Sequence, residues 1–176
     1  MLDQRKFLIW FVCVAVGIGA LKVLQLSRQP LPDAEKAATA IQVAPTGPVV
    51  SRVIDGDTLD CIVDGNMERI RLFGIDAPEG KQSYGPESTE HLRQLVANKR
   101  LRIEITGKDR YGRSIAKLWD DTGYLNKAMV RDGAAWWYRK YAPNDEELST
   151  AEAAARSEKR GLWTDPKPIA PWDFRL

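Results

Sequence analysis

The 176-residue chain has one histidine and two cysteines. With no CxxC pair and no histidine cluster, nothing in it suggests a zinc or copper site. His91 follows Pro86-Glu87-Ser88 on an expected helix and reads as an exposed surface residue. Cys13 lies in an apolar run and Cys61 in an expected strand, so no disulfide is expected in the folded part. That pattern is compatible with any redox compartment. An excess of positive charge is lacking too. The formal net charge is +2, and from Pro48 onward 21 basic residues face 21 acidic ones. This balance excludes a broadly basic coat for nucleic acid, so any phosphate binding must be local. No internal repeat is visible.

What the chain does have is 44% hydrophobic residues, enough to bury a core. Residues 7–21 are wholly apolar or glycine; Lys22 interrupts, and Val23-Leu24-Gln25-Leu26 follows. About twenty residues at about 1.5 Å each span roughly 30 Å, the hydrocarbon thickness of a bilayer. Residues 1–26 are therefore expected to form an N-terminal membrane anchor, a single transmembrane helix whose Lys22 snorkels to the interface. The alternatives are a cleaved signal peptide, with Arg5 and Lys6 as its basic start, and a buried helix. No small-x-small cleavage site follows the run closely, which favours the anchor. Basic residues stand on both sides of the span, so positive-inside counting does not orient it. Residues 27–47 hold Pro30, Pro32 and Pro45 around an alanine-rich middle and read as a flexible linker.

Residues 48–176 form the expected domain. Residues 49–54 and 58–63 read as strands separated by Asp55-Gly56-Asp57, and Asp64-Gly65-Asn66 turns the chain into a third strand at 67–75. Three strands in tight succession suggest an antiparallel meander. Residues 86–98 show helical spacing, with Leu92, Leu95 and Val96 on one face. Leu101, Ile103 and Ile105 alternate with polar residues in a fourth strand. Residues 113–119 make a fifth, with Ser114, Ala116 and Leu118 on one side. A short helix over 124–131 closes at Asp132-Gly133, and a last one over 145–160 stops at Gly161. Five strands and three helices describe an α+β domain, a five-stranded OB-fold β-barrel with helices.

The stretch Ile70-Arg71-Leu72-Phe73-Gly74-Ile75-Asp76-Ala77-Pro78-Glu79 concentrates the chemistry at a strand end. Asp76 and Glu79 flank Pro78 at one turn; Asp55 and Asp57 flank Gly56 at another. If the turns meet, up to four carboxylates converge without nitrogen or sulfur, a donor set for Ca²⁺ or Mg²⁺. Taken singly, each is equally ordinary turn chemistry. Arg71 and Arg113 offer guanidinium forks for phosphate oxygens, or ordinary surface ion pairs.

Val53-Ile54-Asp55-Gly56-Asp57-Thr58, Arg71-Leu72-Phe73-Gly74-Ile75-Asp76-Ala77-Pro78-Glu79, Tyr84-Gly85-Pro86-Glu87 and Asp109-Arg110-Tyr111-Gly112-Arg113, in this order, resemble the signature of the staphylococcal nuclease (thermonuclease) family. Val130-Arg131-Asp132-Gly133 and Arg160-Gly161-Leu162-Trp163 are similar to its C-terminal helices. The resemblance implies the OB barrel with three helices, and calcium-dependent cleavage of DNA and RNA to 3′-phosphate ends. Asp57 and Asp76 match the family's calcium-binding carboxylates. Ala77, where the family often has threonine, would contribute its backbone carbonyl. Glu79 matches the catalytic glutamate, and Arg71 and Arg113 the two catalytic arginines. Arg110 and Tyr111 fall where the family contacts the substrate's terminal phosphate and base. Tyr138 or Tyr141 is a further candidate for stacking on a base, or else a packing wedge. The loop Gly80-Lys81-Gln82-Ser83 is shorter than in the family's type member, which implies altered substrate clamping. Residues 166–176, with Trp172 and Phe174, are expected to strap over the barrel.

The expectation is a monomeric, membrane-tethered, Ca²⁺-dependent nuclease acting on DNA and RNA with little sequence specificity. Its domain is expected to face the periplasm or cell exterior. There calcium is abundant enough for weak sites, and the cell's own nucleic acids are out of reach. The competing expectations are a non-catalytic OB-fold module that binds nucleic acid or protein, and an envelope-assembly protein using the barrel as an interaction surface.

Overall fold

The computed structural model describes residues 47–176. The expected anchor (1–26), Cys13 and nearly all of the expected linker (27–47) lie outside the described residues. Among those described, no helix is long and apolar enough to cross a membrane.

The elements in chain order are β1 (Val49–Val53), β2 (Thr58–Val63), β3 (Asn66–Leu72), β4 (Ile75–Asp76), α1 (Gly85–Val96), β5 (Arg102–Lys108), β6 (Ser114–Asp120), β7 (Gly123–Tyr124), α2 (Leu125–Arg131), β8 (Trp136–Trp137), α3 (Glu146–Ser157) and α4 (Pro171–Phe174). The first three strands form the expected antiparallel meander. Between β2 and β3 the chain turns on two residues, Asp64 at φ 49° and Gly65 at φ 81°. This left-handed pair matches the twist of the flanking strands. β3 then runs parallel to β6, with Ile70 opposite Ser114 and Leu72 opposite Ala116, and β6 runs antiparallel to β5. The sheet is mixed, in the order β1-β2-β3-β6-β5, with the short β7 on β6.

Two expectations need correction. The five-stranded barrel is open at one seam: among the described residues no ladder joins β1 to β5. Both edge strands carry a bulge, between Val50 and Arg52 and between Ile105 and Gly107. Bulged strands bend out of a regular ladder. The edges approach just before β1, where a side chain added at Gly47 would lie 3.7 Å from the Leu101 carbonyl. The strand expected at 67–75 also breaks. It stops at Leu72, Gly74 adopts φ 74°, and the chain resumes as β4, paired with β8. A side chain at Gly74 would come within 2.7 Å of Leu148 Cδ1, so both the backbone angle and the packing require glycine there.

The core follows from strand alternation and helical spacing. Leu59, Cys61, Ile70, Leu72, Ala116 and Leu118 are fully buried from the sheet. Leu92 and Val96 of α1, Met129 and Val130 of α2, and Leu148 and Ala151 of α3 cover them. Asn126 is buried among these and satisfied. Its Oδ1 accepts from Leu118 N–H at 3.0 Å, and its Nδ2 donates to the Phe73 carbonyl at 2.9 Å. Asp145 caps α3 by accepting from Leu148 N–H at 3.0 Å. His91 is half-buried rather than exposed: its ring meets Asp132 Oδ2 at 3.1 Å and ties α1 to the end of α2. A second, smaller cluster holds Trp136, Ala155, Leu162, Trp163 and Ala170, with Trp172 packed against it. The tail therefore straps onto β8 and α3.

Candidate active site

The two acidic turns meet because small residues let them. A Cβ on Gly56 would stand 2.7 Å from the Ala77 side chain and 1.9 Å from Ser88 Oγ. Only a glycine beneath an alanine allows this approach. Asp57 Oδ2 then accepts the Ala77 backbone N–H at 2.7 Å, and its Oδ1 accepts the Thr58 hydroxyl at 3.0 Å. Asp55 accepts the Asp57 N–H at 3.0 Å, an Asx turn that fixes the loop. Burial, and then the charge of Asp57, push the Asp55 carboxyl up to about 6.

Arg71 joins the turns. Its Nη2 lies 2.8 Å from Asp76 Oδ1 and 3.1 Å from Asp57 Oδ2. Its Nη1 donates to the Ile75 and Leu72 carbonyls at 2.9 and 3.1 Å. Its side chain is 13% exposed, so the fork is fixed and faces carboxylates and carbonyls. Asp76 is fully buried, held between β8 and this guanidinium. Burial pushes its carboxyl above the usual range, against the pull of the neighbouring arginines.

The structure therefore brings Arg71, Asp57, Asp76 and Ala77 together. Glu79 stands on the adjoining loop, where its backbone N–H donates to Gln82 Oε1 at 3.1 Å. It joins the cluster through a residue that the sequence did not single out, Arg175. The Arg175 fork reaches Asp76 Oδ2 at 2.6 Å and Glu79 Oε1 at 2.6 Å. An arginine 96 residues away from Glu79, with no local pattern of its own, gives no sequence signal for such a contact.

Arg113, Arg110 and Tyr111 form a neighbouring group at the β5–β6 turn. Arg113 Nε donates to Asp109 Oδ2 at 2.7 Å, and Arg110 Nη2 to the Tyr111 hydroxyl at 2.6 Å. Tyr111 is 69% exposed. Arg71 lies on β3, and Arg113 immediately precedes β6, the strand paired with β3. Ile115 is the register partner of Arg71, so Arg113 stands two residues before it. Tyr138 lies at the end of β8, stacked on Trp172 at 5.2 Å with the rings within 6° of parallel. Tyr141 meets Tyr138 edge-on and is 60% exposed.

A hard cation fits the donor chemistry. Asp57 and Asp76 offer oxygen only, and both already converge on one positively charged nitrogen, that of Arg71. Among the described residues no group of three or more His, Cys, Asp or Glu side chains converges on one metal position, so backbone oxygens or water would have to complete any coordination there.

Residues 69–165 match the protein family described as staphylococcal nuclease homologue. An endonuclease of Escherichia coli O157:H7, itself described as uncharacterized, is 44% identical over 127 residues, which cover 72% of this chain and 82% of that protein. A micrococcal nuclease of Shigella flexneri is 35% identical over 136 residues, 72% of this chain and 78% of its own length. A staphylococcal-like nuclease of Arabidopsis thaliana is 37% identical over 107 residues, which cover 61% of this chain and 33% of that protein.

Proposed function

From the premise that this chain belongs to the staphylococcal nuclease family, we propose that it is a Ca²⁺-dependent nuclease hydrolysing phosphodiester bonds of DNA and RNA with little sequence specificity. The observation that carries this is the convergence of Asp57 and Asp76 on Arg71, with Glu79 on the next loop. Asp57 and Asp76, together with the Ala77 carbonyl, would hold the calcium. Calcium, when bound, supplies Lewis-acid stabilisation of charge on the phosphate oxygens.

The protein's own groups do the rest. Glu79 accepts a proton from water as the water oxygen bonds to phosphorus. The P–O5′ bond breaks, the leaving oxygen takes a proton from solvent, and a 3′-phosphate remains. Arg71 and Arg113 neutralise the charge that builds on the equatorial oxygens. Arg71 stands on β3, and Arg113 immediately precedes β6, the strand paired with β3. Arg110 and Tyr111 hold the phosphate and base beside the scissile bond, and Tyr138 stacks on a base. Histidine has no part in this division of labour.

Activity should appear on DNA and RNA with calcium and vanish with chelator. Folded protein that ignores calcium on both substrates would overturn the reading and leave a binding module. The domain is further proposed to act as a monomer tethered by residues 1–26, facing the periplasm or cell exterior; the apolar run at 7–21 supports the tether. Protease added to intact spheroplasts should then digest the domain, and protection would overturn that orientation.

A further inference from the structure

Residues 166–176 do more than pack against the fold: they cover both halves of the site. At one end, Gln82 Nε2 donates to the Ile169 carbonyl at 2.5 Å, while Gln82 Oε1 holds the Glu79 N–H. The short loop that carries Glu79 is thus clipped to the tail. Ala170 and Pro171 are buried and start α4. Trp172 lies flat on Tyr138 at 5.2 Å and edge-on to Trp136 at 5.6 Å. Arg175 then sets its fork on Asp76 and Glu79. Its side chain is 42% exposed, so it can leave without disrupting the core.

Each contact takes a position that the proposed activity needs. An indole stacked flat on Tyr138 occupies the surface a base would use. A guanidinium on Asp76 and Glu79 supplies the positive charge a divalent cation would otherwise bring, and it engages the proposed base. Arg71 still faces Asp76 at 2.8 Å when Arg175 leaves, and a dication would replace the second positive charge there. With Asp57, Asp76 and Glu79 against Arg71 and Arg175, the closed cluster keeps one net negative charge. Exchanging Arg175 for a dication makes the cluster one unit less negative.

We infer that the segment Ile169–Arg175 is a self-masking strap, with Arg175 in the role of the cation and Trp172 in the role of the base, and that divalent cation and substrate displace it together. The inference rests on the nuclease reading for its purpose but on binding for its test. If the strap is closed in about nine molecules in ten, apparent cation affinity falls about tenfold, because only the open fraction binds.

The test uses the full chain, as wild type and as Arg175→Gln, titrated with Ca²⁺ by isothermal titration calorimetry. Acrylamide quenching of Trp172, isolated by subtracting a Trp172→Phe variant, follows the strap itself. Arg175→Lys serves as a second variant that keeps the charge but loses the two-pronged grip. The expected result is about tenfold tighter calcium binding by Arg175→Gln and an intermediate value for Arg175→Lys. Calcium should also raise the quenching of Trp172 in the wild type. Equal calcium affinities, no calcium binding by either protein, or quenching that calcium leaves unchanged would overturn the strap. Tighter binding by Arg175→Gln without any DNA cleavage would uphold the strap and refute the nuclease reading, so the two fail separately.

Discussion

Arg71→Met tests whether one guanidinium holds the two acidic turns together. The substitution keeps most of the side-chain volume and removes the charge. Asp57 and Asp76 have side-chain exposures of 7% and 1%, so neither can turn to water for compensation. Breaking a buried pair by removing one partner costs about 3–5 kcal/mol. Arg175 still engages Asp76 Oδ2, and the Ala77 N–H still engages Asp57 Oδ2, so the loss should sit at the low end, about 3 kcal/mol. Urea denaturation in chelator, followed by tryptophan emission, reads this directly. Calcium supplies the second half of the test. A ligand bound only to the native state at about one hundred times its Kd adds roughly 2.7 kcal/mol. Without the competing charge of Arg71, the gain from calcium should be larger in the variant than in the wild type. Cleavage should fall about 10²–10³-fold, the effect of removing one transition-state donor. A variant within about 1 kcal/mol of wild type in chelator, or one that gains no more from calcium, would refute the reasoning.

Gly56→Ala should part the two turns, because its Cβ would meet Ser88 Oγ at 1.9 Å and Ala77 Cβ at 2.7 Å. A loss of about 1–3 kcal/mol on urea denaturation is expected, with weaker calcium binding by calorimetry, partly relieved by adding Ser88→Ala. Asp120→Asn gives a pH signature away from the site. Desolvation opposes ionisation of Asp120, but Lys99 at 2.6 Å and the Thr122 bonds outweigh it and bring the carboxyl down to about 2. A carboxyl depressed on folding stabilises above the unfolded value of 3.8 and loses that contribution as pH falls through about 2. The variant should cost about 1 kcal/mol at pH 7 after solvent screening, a difference that closes towards pH 2.

The local features were legible in the sequence, and the non-local ones were not. Asp64-Gly65 announces a two-residue hairpin turn, and Ser114, Ala116 and Leu118 alternate onto the buried face, because turn geometry and strand pleat depend on neighbours in the chain. Four ordered motifs were enough to identify the family. Gly74 marked a loss of strand regularity, but the alternation runs on through Ile75, and the left-handed φ of 74° and the closeness of Leu148 that break the strand there appear only in the fold. Trp136-Trp137, just before the candidate stacking residues Tyr138 and Tyr141, carried no strand signal, yet it pairs with Ile75-Asp76. Arg113 stood out as a phosphate ligand, and the fold also gives it Asp109 as a partner four residues back. Glu152, buried under β8 and accepting from Trp137 N–H at 3.1 Å, and Arg175 left no trace in sequence, because a single charged residue has no period.

The most direct test of the account is Glu79→Gln, which keeps the shape of the side chain and removes its capacity to take a proton. Single-turnover cleavage of single-stranded and duplex DNA would be measured at saturating calcium, beside calcium binding by calorimetry. The account predicts cleavage slowed a hundredfold or more with calcium still bound. Cleavage within about threefold of wild type would contradict it, since Glu79 could then not be the group that takes the proton from water.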